Sequence, residues 1–310
     1  MGSTTLKGCG TALATPFTPD GARLDENAFR NLLRYQIEGG VHFLVPCGTT
    51  GENPTLSHEE ALRVVEMTVA AAKPARIPVY AGAGGNNTAH IIELAREYEK
   101  LGVTGILSVS PYYNKPTQEG LYQHYAAIAK SVPLPIIVYN VPGRTASNIE
   151  PATLARIARI DNIVAVKEAS GNISQMAEIA ATVPDGFALL SGDDSITIPV
   201  ISLGGVGVVS VVSNEMPAGM SQLVNAALRG DYADARRRQK KMLPLMQTNF
   251  IESSPIPVKA ALAMMGLIEE SYRLPLVPMK PENKAKLRAA LEESGAFQEY
   301  NACRTDRVAV

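Results

Sequence analysis

Eight short apolar runs alternate along this chain with segments of helical period, and no other feature narrows its possible folds as far. The runs cover 10–14, 42–46, 78–81, 105–108, 135–139, 163–167, 188–191 and 206–211. The helical segments between them cover 25–38, 57–72, 88–101, 118–131, 151–158, 174–182 and 195–203. Several open on start signals, among them Ser57 with Glu60 three residues on and Glu150 ahead of Pro151. Strands that read as unbroken apolar stretches, with no polar face, belong to a parallel sheet covered by helices. An open doubly wound sheet shares the alternation, but eight units close naturally into a (β/α)8 or TIM barrel, which takes about 250 residues. The chain has 310. Residues 1–228 are therefore expected to form the barrel, and 229–310 a C-terminal helical extension with helices over 231–248, 257–265 and 282–294. The last stretch, 297–310, has no clear period and is expected to fray.

Charge removes whole classes of partner. Lys and Arg number 29 against 30 Asp and Glu, a net charge of -1, so no global field draws the chain to phosphate backbones or anionic lipid. No nucleic acid and no membrane partner is expected. The cluster Arg236, Arg237, Arg238, Lys240 and Lys241 falls on a predicted helix beside Asp231 and Asp234 and reads as a solvated face. No apolar run approaches the roughly 20 residues of a spanning helix, and residues 1–7 hold no signal-peptide core, so a cytoplasmic protein is expected. The cysteines Cys9, Cys47 and Cys303 cannot all pair with one another and lack metal-ligand spacing. They read as reduced thiols, and no metal is expected. Gly82, Gly84 and Gly85 sit where a dinucleotide loop would, but without the fingerprint's third glycine or an acidic residue ending the next strand. A tight turn is the simpler reading.

In a (β/α)8 barrel the chemistry lies at the C-terminal strand ends. Lys167 stands at one of them, after Ile163-Val164-Ala165-Val166, and side-chain alternation aims it into the barrel mouth. At the ordinary lysine pKa near 10.4 about one amine in 2,500 is neutral at pH 7, and only the neutral amine attacks a carbonyl. Drawing a lysine out of water disfavours its charged form, which is how such side chains become Schiff-base nucleophiles. The competing reading is a structural ion pair with Glu168 or with a carboxylate across the barrel. Tyr139 ends the preceding strand and could move the protons a carbinolamine must gain and lose, with Thr49 and Thr50 as relay. The N–H groups of the 48–51 turn could hold a small carboxylate, or merely satisfy the turn itself. Arg144 follows Pro142-Gly143 in a loop where a fixed cation could meet a second carboxylate, or stand at the surface.

Gly48-Thr49-Thr50-Gly51-Glu52, Pro111-Tyr112-Tyr113-Asn114-Lys115-Pro116, Tyr139-Asn140-Val141-Pro142-Gly143-Arg144-Thr145, Val166-Lys167-Glu168 and Pro255-Ile256-Pro257-Val258-Lys259 occur in that order. Together, over residues 5–295, they resemble the dihydrodipicolinate synthase family of pyruvate-dependent aldolases. The resemblance implies a class I aldolase-type lyase of lysine and diaminopimelate biosynthesis that condenses pyruvate with L-aspartate 4-semialdehyde. It implies no cofactor beyond the covalent imine on Lys167. Tyr139 and Thr49 match the family's proton relay, completed by Tyr113 from a neighbouring subunit. Thr50 matches the pyruvate-carboxylate contact, Arg144 the residue that receives the aldehyde's carboxylate, and Gly192 and Val209 fall where the family lines its pocket. The borrowed tyrosine implies at least a dimer, and the family usually forms a dimer of dimers. Asn53, Pro54, His58, Asn86 and Tyr112 fall at the allosteric lysine site of sensitive members. Ala61 stands where those often carry histidine, and His90 where they carry an acid that pairs with the effector's ammonium, so weak or absent inhibition is expected. N-acetylneuraminate lyase and keto-sugar-acid aldolases or dehydratases share the lysine, the tyrosine and the Gly-Thr-Gly-Glu neighbourhood, and Arg144 is what separates this sequence from them. A non-catalytic small-acid binding protein would keep the pocket without needing a reactive Lys167.

Overall fold

The computed structural model describes residues 6–305. Eight strands alternate with helices: β1 Gly8–Ala12, β2 Phe43–Val45, β3 Tyr80–Gly82, β4 Gly105–Val109, β5 Ile136–Asn140, β6 Ile163–Glu168, β7 Ala188–Ser191 and β8 Gly207–Ser210. All pair in parallel, in the order β2-β1-β8-β7-β6-β5-β4-β3. A bridge between Leu44 and Val79, with the Leu44 N–H donating to Pro78 O at 2.9 Å, brings β2 to β3 and nearly closes the barrel. This is the expected (β/α)8 architecture.

The helices are α1 Glu26–Glu38, α2 His58–Ala72, α3 Thr88–Lys100, α4 Gln118–Ser131, the single turn α5 Pro142–Thr145, α6 Pro151–Ile157, α7 Ile173–Thr182, α8 Thr197–Ser202, α9 Pro217–Leu228, α10 Tyr232–Thr248, α11 Ile256–Met264, α12 Pro281–Ser294 and α13 Ala296–Thr305. The Ser57 hydroxyl accepts from Glu60 N at 3.2 Å while Glu60 accepts from Ser57 N at 2.9 Å, the capping box read from the sequence. Pro151 opens α6 as expected, though Glu150 makes no side-chain cap. The segment 195–203 begins with a 3-10 turn, Asp194–Ile196, ahead of α8.

Alternate strand positions face inward, where Phe43, Val45, Tyr80, Leu107, Ile137 and Leu190 fill the barrel. Gly10 makes room for this layer: a Cβ there would lie 1.9 Å from the Phe43 ring, which meets Tyr80 edge-on at 5.8 Å. The outward faces pack under the helices, Val138 and Val166 among them. On the β1–β8 side the covering layer comes from α9 and the C-terminal helices, so Leu32, Val208 and Val212 share one buried cluster with Leu245, Val258 and Leu262.

Three helices depart from the sequence reading. α9 has no polar stripe to announce it, because Pro217, Met220, Leu223, Val224, Ala226 and Ala227 are all buried between the barrel and the extension. α5 is too short to show a period. The expected fraying tail is α13 up to Thr305, and tertiary contacts hold it. Glu299 accepts from Ala218 N at 2.8 Å and Gly219 N at 3.0 Å at the start of α9, and Tyr300 meets Tyr35 edge-on at 5.3 Å. Residues 306–310 of that expectation lie outside the described residues. Among the described residues no helix is long and apolar enough to cross a membrane.

Candidate active site

Lys167 and Tyr139 are register partners at the C-terminal ends of β6 and β5. The lysine is 5% exposed, and its Nζ lies 4.1 Å from the Tyr139 ring centroid. Its inward aim depends on an irregularity. Ile136 pairs with Ile163 but Ile137 with Ala165, so Val164 is an extra residue in β6. That bulge resets the alternation, and from Ala165 onward Lys167 shares the interior face with Tyr139. The ion-pair reading does not hold. Glu168 points to the outside of the barrel wall, where its oxygens accept from Asn140 Nδ2 at 2.9 Å and Ser170 N at 2.8 Å. Burial raises the pKa of this carboxyl in spite of those bonds. Among the described residues no carboxylate lies within ion-pair distance of Lys167.

The turn after β2 brings in the threonines. Its flanking residues Cys47 (φ 56) and Glu52 (φ 52) are both left-handed. Gly51 N donates to Gly48 O at 3.1 Å and Glu52 N to Thr49 O at 3.2 Å, whereas the N–H groups of Thr49 and Thr50 meet no acceptor among the described residues. Two free donors on one turn are what a small carboxylate needs. The glycine run passes close by, and a Cβ on Gly82 would lie 2.1 Å from Cys47 O. Gly82 thus ends β3 against the Cys47 backbone, and Gly84 and Gly85 lie in the short irregular connection to α3 rather than in a hydrogen-bonded tight turn. Burial pushes the Cys47 thiol up to about 12, so it stays protonated near neutral pH.

A cavity of about 300 Å³ opens over this ground, lined among others by Thr49, Gly82, Gly84, Tyr139 and Arg144. Tyr139 is common to both features, lining the cavity and carrying the Lys167 ammonium over its ring. Thr50 (3% exposed) and Val209 are buried, Val209 in the same interior cluster as Tyr139. Gly192 is tied to the end of β6 by its N–H on Glu168 O at 2.8 Å. Arg144, on α5 and exposed, reaches Ser254 O at 3.2 Å with Nη2. Tyr113 does not join this site within one chain. It is left-handed (φ 69) and 90% exposed.

Of the residues that fall at the lysine-site positions, Asn53, Pro54 and Tyr112 line the same cavity. His58 lies outside it and meets Glu97 at 3.1 Å, and Asn86 offers its carbonyl to Asn114 Nδ2 at 3.0 Å. Ala61 is buried, with its carbonyl facing Cys47 Sγ at 3.6 Å, and His90 is exposed on the first turn of α3. The sequence reading missed Ser254, Pro275 and Leu276, which also line the cavity and come from the C-terminal extension, as does Pro255 of the motif that precedes Lys259. It singled out Lys259 only as part of a motif. Lys259 is fully buried and paired with Glu52, and no local pattern links residues that far apart.

A parallel eight-stranded barrel with a lysine and a tyrosine abreast at its C-terminal mouth, beside a carboxylate-sized turn, defines a barrel enzyme equipped for amine–carbonyl chemistry. The chain belongs to the dihydrodipicolinate synthetase family, whose model matches residues 5–294. It is 56% identical over 294 residues to the 4-hydroxy-tetrahydrodipicolinate synthase of Koribacter versatilis, covering 94% of this chain and 97% of that one. The crystal structure of dihydrodipicolinate synthase from Thermotoga maritima superposes with a TM-score of 0.92 at 45% identity, over 94% of this chain and 99% of that one. The chloride-inhibited dihydrodipicolinate synthase of Acinetobacter baumannii complexed with pyruvate does so with a TM-score of 0.92 at 41% identity, over 94% and 100%.

Proposed function

We infer that this chain condenses pyruvate with L-aspartate 4-semialdehyde, the 4-hydroxy-tetrahydrodipicolinate synthase reaction of lysine and diaminopimelate biosynthesis. The observation that carries this reading is the buried Lys167 ammonium 4.1 Å from the ring of Tyr139, a residue that also lines the cavity. The neutral Lys167 amine adds to the keto carbon of pyruvate. Tyr139, with Thr49, passes the protons that let the carbinolamine lose water to the imine. The imine gives up a methyl proton to become the enamine, whose carbon attacks the aldehyde. The product's own amine then displaces Lys167 and the ring closes. Because the imine itself takes up the electrons, the scheme calls for neither cofactor nor metal. Thr50 and the free N–H groups of its turn hold the pyruvate carboxylate, Gly192 and Val209 bound the keto acid, and Arg144 receives the carboxylate of the aldehyde substrate.

Borohydride reduction in the presence of pyruvate should leave a stable mass gain on Lys167, absent in Lys167→Ala. No adduct on the intact chain would sink the mechanism. Offered aspartate semialdehyde, N-acetylmannosamine and glyceraldehyde as acceptors, the enzyme should turn over the first. Arg144→Ala should raise KM for that aldehyde while leaving pyruvate trapping intact.

Two finer readings belong with this one. The exposed, left-handed Tyr113 completes the relay of a neighbouring copy, so the active form is at least a dimer and, as the family usually assembles, a dimer of dimers. Mixing Lys167→Ala chains with Tyr113→Phe chains should then restore activity, to about a quarter of the wild-type level if dimers form at random. No restoration would place Tyr113 outside the relay. Lysine inhibits weakly or not at all, since His90 replaces the anion an effector ammonium would need and His58 is already engaged by Glu97 at 3.1 Å. A submillimolar inhibition constant in a steady-state assay contradicts this.

A further inference from the structure

The motif Pro255-Ile256-Pro257-Val258-Lys259 has no part in the chemistry above, yet its lysine is enclosed as completely as any residue in the chain. Lys259, on α11, is 0% exposed, and its ammonium pairs with the carboxylate of Glu52. The Phe17 ring lies 4.2 Å and the Tyr272 ring 5.3 Å from Nζ, so aromatic walls close off the cation's other sides. The second Glu52 oxygen accepts the Arg273 N–H at 3.3 Å. The guanidinium of Arg273 in turn donates to Thr55 O at 2.8 Å and to Glu60 on the first turn of α2 at 2.6 Å. Both holds on the Glu52 carboxylate thus come from the C-terminal extension. Glu52 ends the turn that carries Thr49 and Thr50, and its N–H donates back to Thr49 O at 3.2 Å. It does so with φ at 52, a conformation a non-glycine residue keeps only where its surroundings over-determine it. Ser254, just before the motif, lines the same cavity, and its O accepts from Arg144 at 3.2 Å.

We propose that Lys259, acting through Glu52, is a positioning residue for the Thr49–Thr50 turn, so that the C-terminal extension rather than the barrel sets where the α-keto acid's carboxylate is held. The proposal rests on the reading of this cavity as a pyruvate site. A buried cation and anion enclosed by aromatic rings cannot shift independently, because parting them leaves the ammonium with only the rings and the carboxylate with only the Arg273 N–H. The turn is therefore held in place by α11, and its two free N–H groups with it.

The test compares the full-length wild type, Glu52→Gln, Lys259→Met and the double variant for melting temperature, for KM of pyruvate, for kcat, and for borohydride-trapped mass gain on Lys167. Each single variant strands a buried charge and should melt lower. The double variant removes both charges and should recover much of the melting temperature, yet keep a KM for pyruvate raised about tenfold to a hundredfold, the scale of effect a small misplacement has. Its kcat at saturating pyruvate should change far less. A double variant with both wild-type melting and wild-type KM reduces the pair to a stabilising contact and overturns the proposal. Should the double variant not fold, Glu52→Asp keeps both charges on a shorter arm, and an unchanged KM there overturns it equally. Trapping separates this failure from that of the underlying function. A wild type that forms no adduct refutes the pyruvate reading, whereas a wild type that does, beside an unaltered variant, refutes only the positioning role.

Discussion

Tyr139 touches Lys167 with its ring and faces the cavity, so its two parts can be separated by mutation. In Tyr139→Phe the ring that lies 4.1 Å from Nζ stays and only the hydroxyl goes. General acid–base catalysis by one positioned group is worth about 10²–10⁴-fold, and kcat should fall on that scale. Borohydride trapping should still reach the wild-type mass gain, only more slowly, since the nucleophile is intact. An undiminished kcat would move the proton transfer to another group. Lys167 and Tyr139 drew attention in the sequence because each stands where an apolar run stops, which in a barrel is where catalytic groups sit, whereas Ser254, Pro275 and Leu276 of the extension end no strand and gave no such signal. Alternation along Ile163–Val166 aimed Lys167 inward, but the extra residue Val164, which sets the actual phase from Ala165 onward, leaves no mark in the sequence. The Lys259–Glu52 pair spans 207 residues and could not be read at all, since spacing speaks only of neighbours along a strand or helix.

At the scale of elements, all eight strands could be read because each is buried on both faces and keeps one unbroken apolar signal. Helices were found where one face meets solvent. α9, covered on both faces, was missed, as was α13, which distant contacts rather than periodicity hold, although α11 was read in spite of being buried almost throughout. The turn joining β7 to β8 shows how such contacts carry a pH dependence. Asp194 is buried and accepts from Val211 N at 3.0 Å and Val212 N at 2.9 Å, fastening the start of α8 to the end of β8. Burial, assisted by the neighbouring Asp193, pushes its carboxyl from 3.8 up to about 6. Between those values the folded chain holds a proton that the unfolded chain has released, so stability falls as pH rises through the window. Asn in its place keeps an oxygen for both N–H groups and does not titrate. The melting temperature of Asp194→Asn relative to wild type should climb from pH about 4 to about 7, by the equivalent of at most about 3 kcal/mol. Glu215, buried nearby and raised by burial with the Asp194 charge adding to it, is coupled to this titration, so the comparison is made in a Glu215→Gln background. Parallel curves would show that Asp194 keeps an ordinary pKa.

The whole molecule behaves as one unit only if the extension completes the barrel's packing, and the buried residues argue that it does. Gly230 (φ 79) turns the chain from α9 into α10. Beyond it, Leu245, Val258 and Leu262 cover the same cluster that holds Leu32, Val208, Val212, Leu223 and Val224 of the barrel side. Burying one large aliphatic side chain is worth about 1.5–3 kcal/mol, and a domain keeps a margin of only about 5–15 kcal/mol. Uncovering those five at once would consume most of that margin, and the ties from Arg273 to Glu60 at 2.6 Å and from Ser254 to Arg144 at 3.2 Å would be lost with them. A chain ended after Gly230 should therefore lack a cooperative thermal transition and bind a hydrophobic dye, while the full chain unfolds in a single calorimetric step with no independent melting of the extension. A truncated barrel that melts sharply on its own would show that the C-terminal helices are an added layer. In that case the extension could not be what holds the Thr49–Thr50 turn, because the turn's surroundings would already be complete without it.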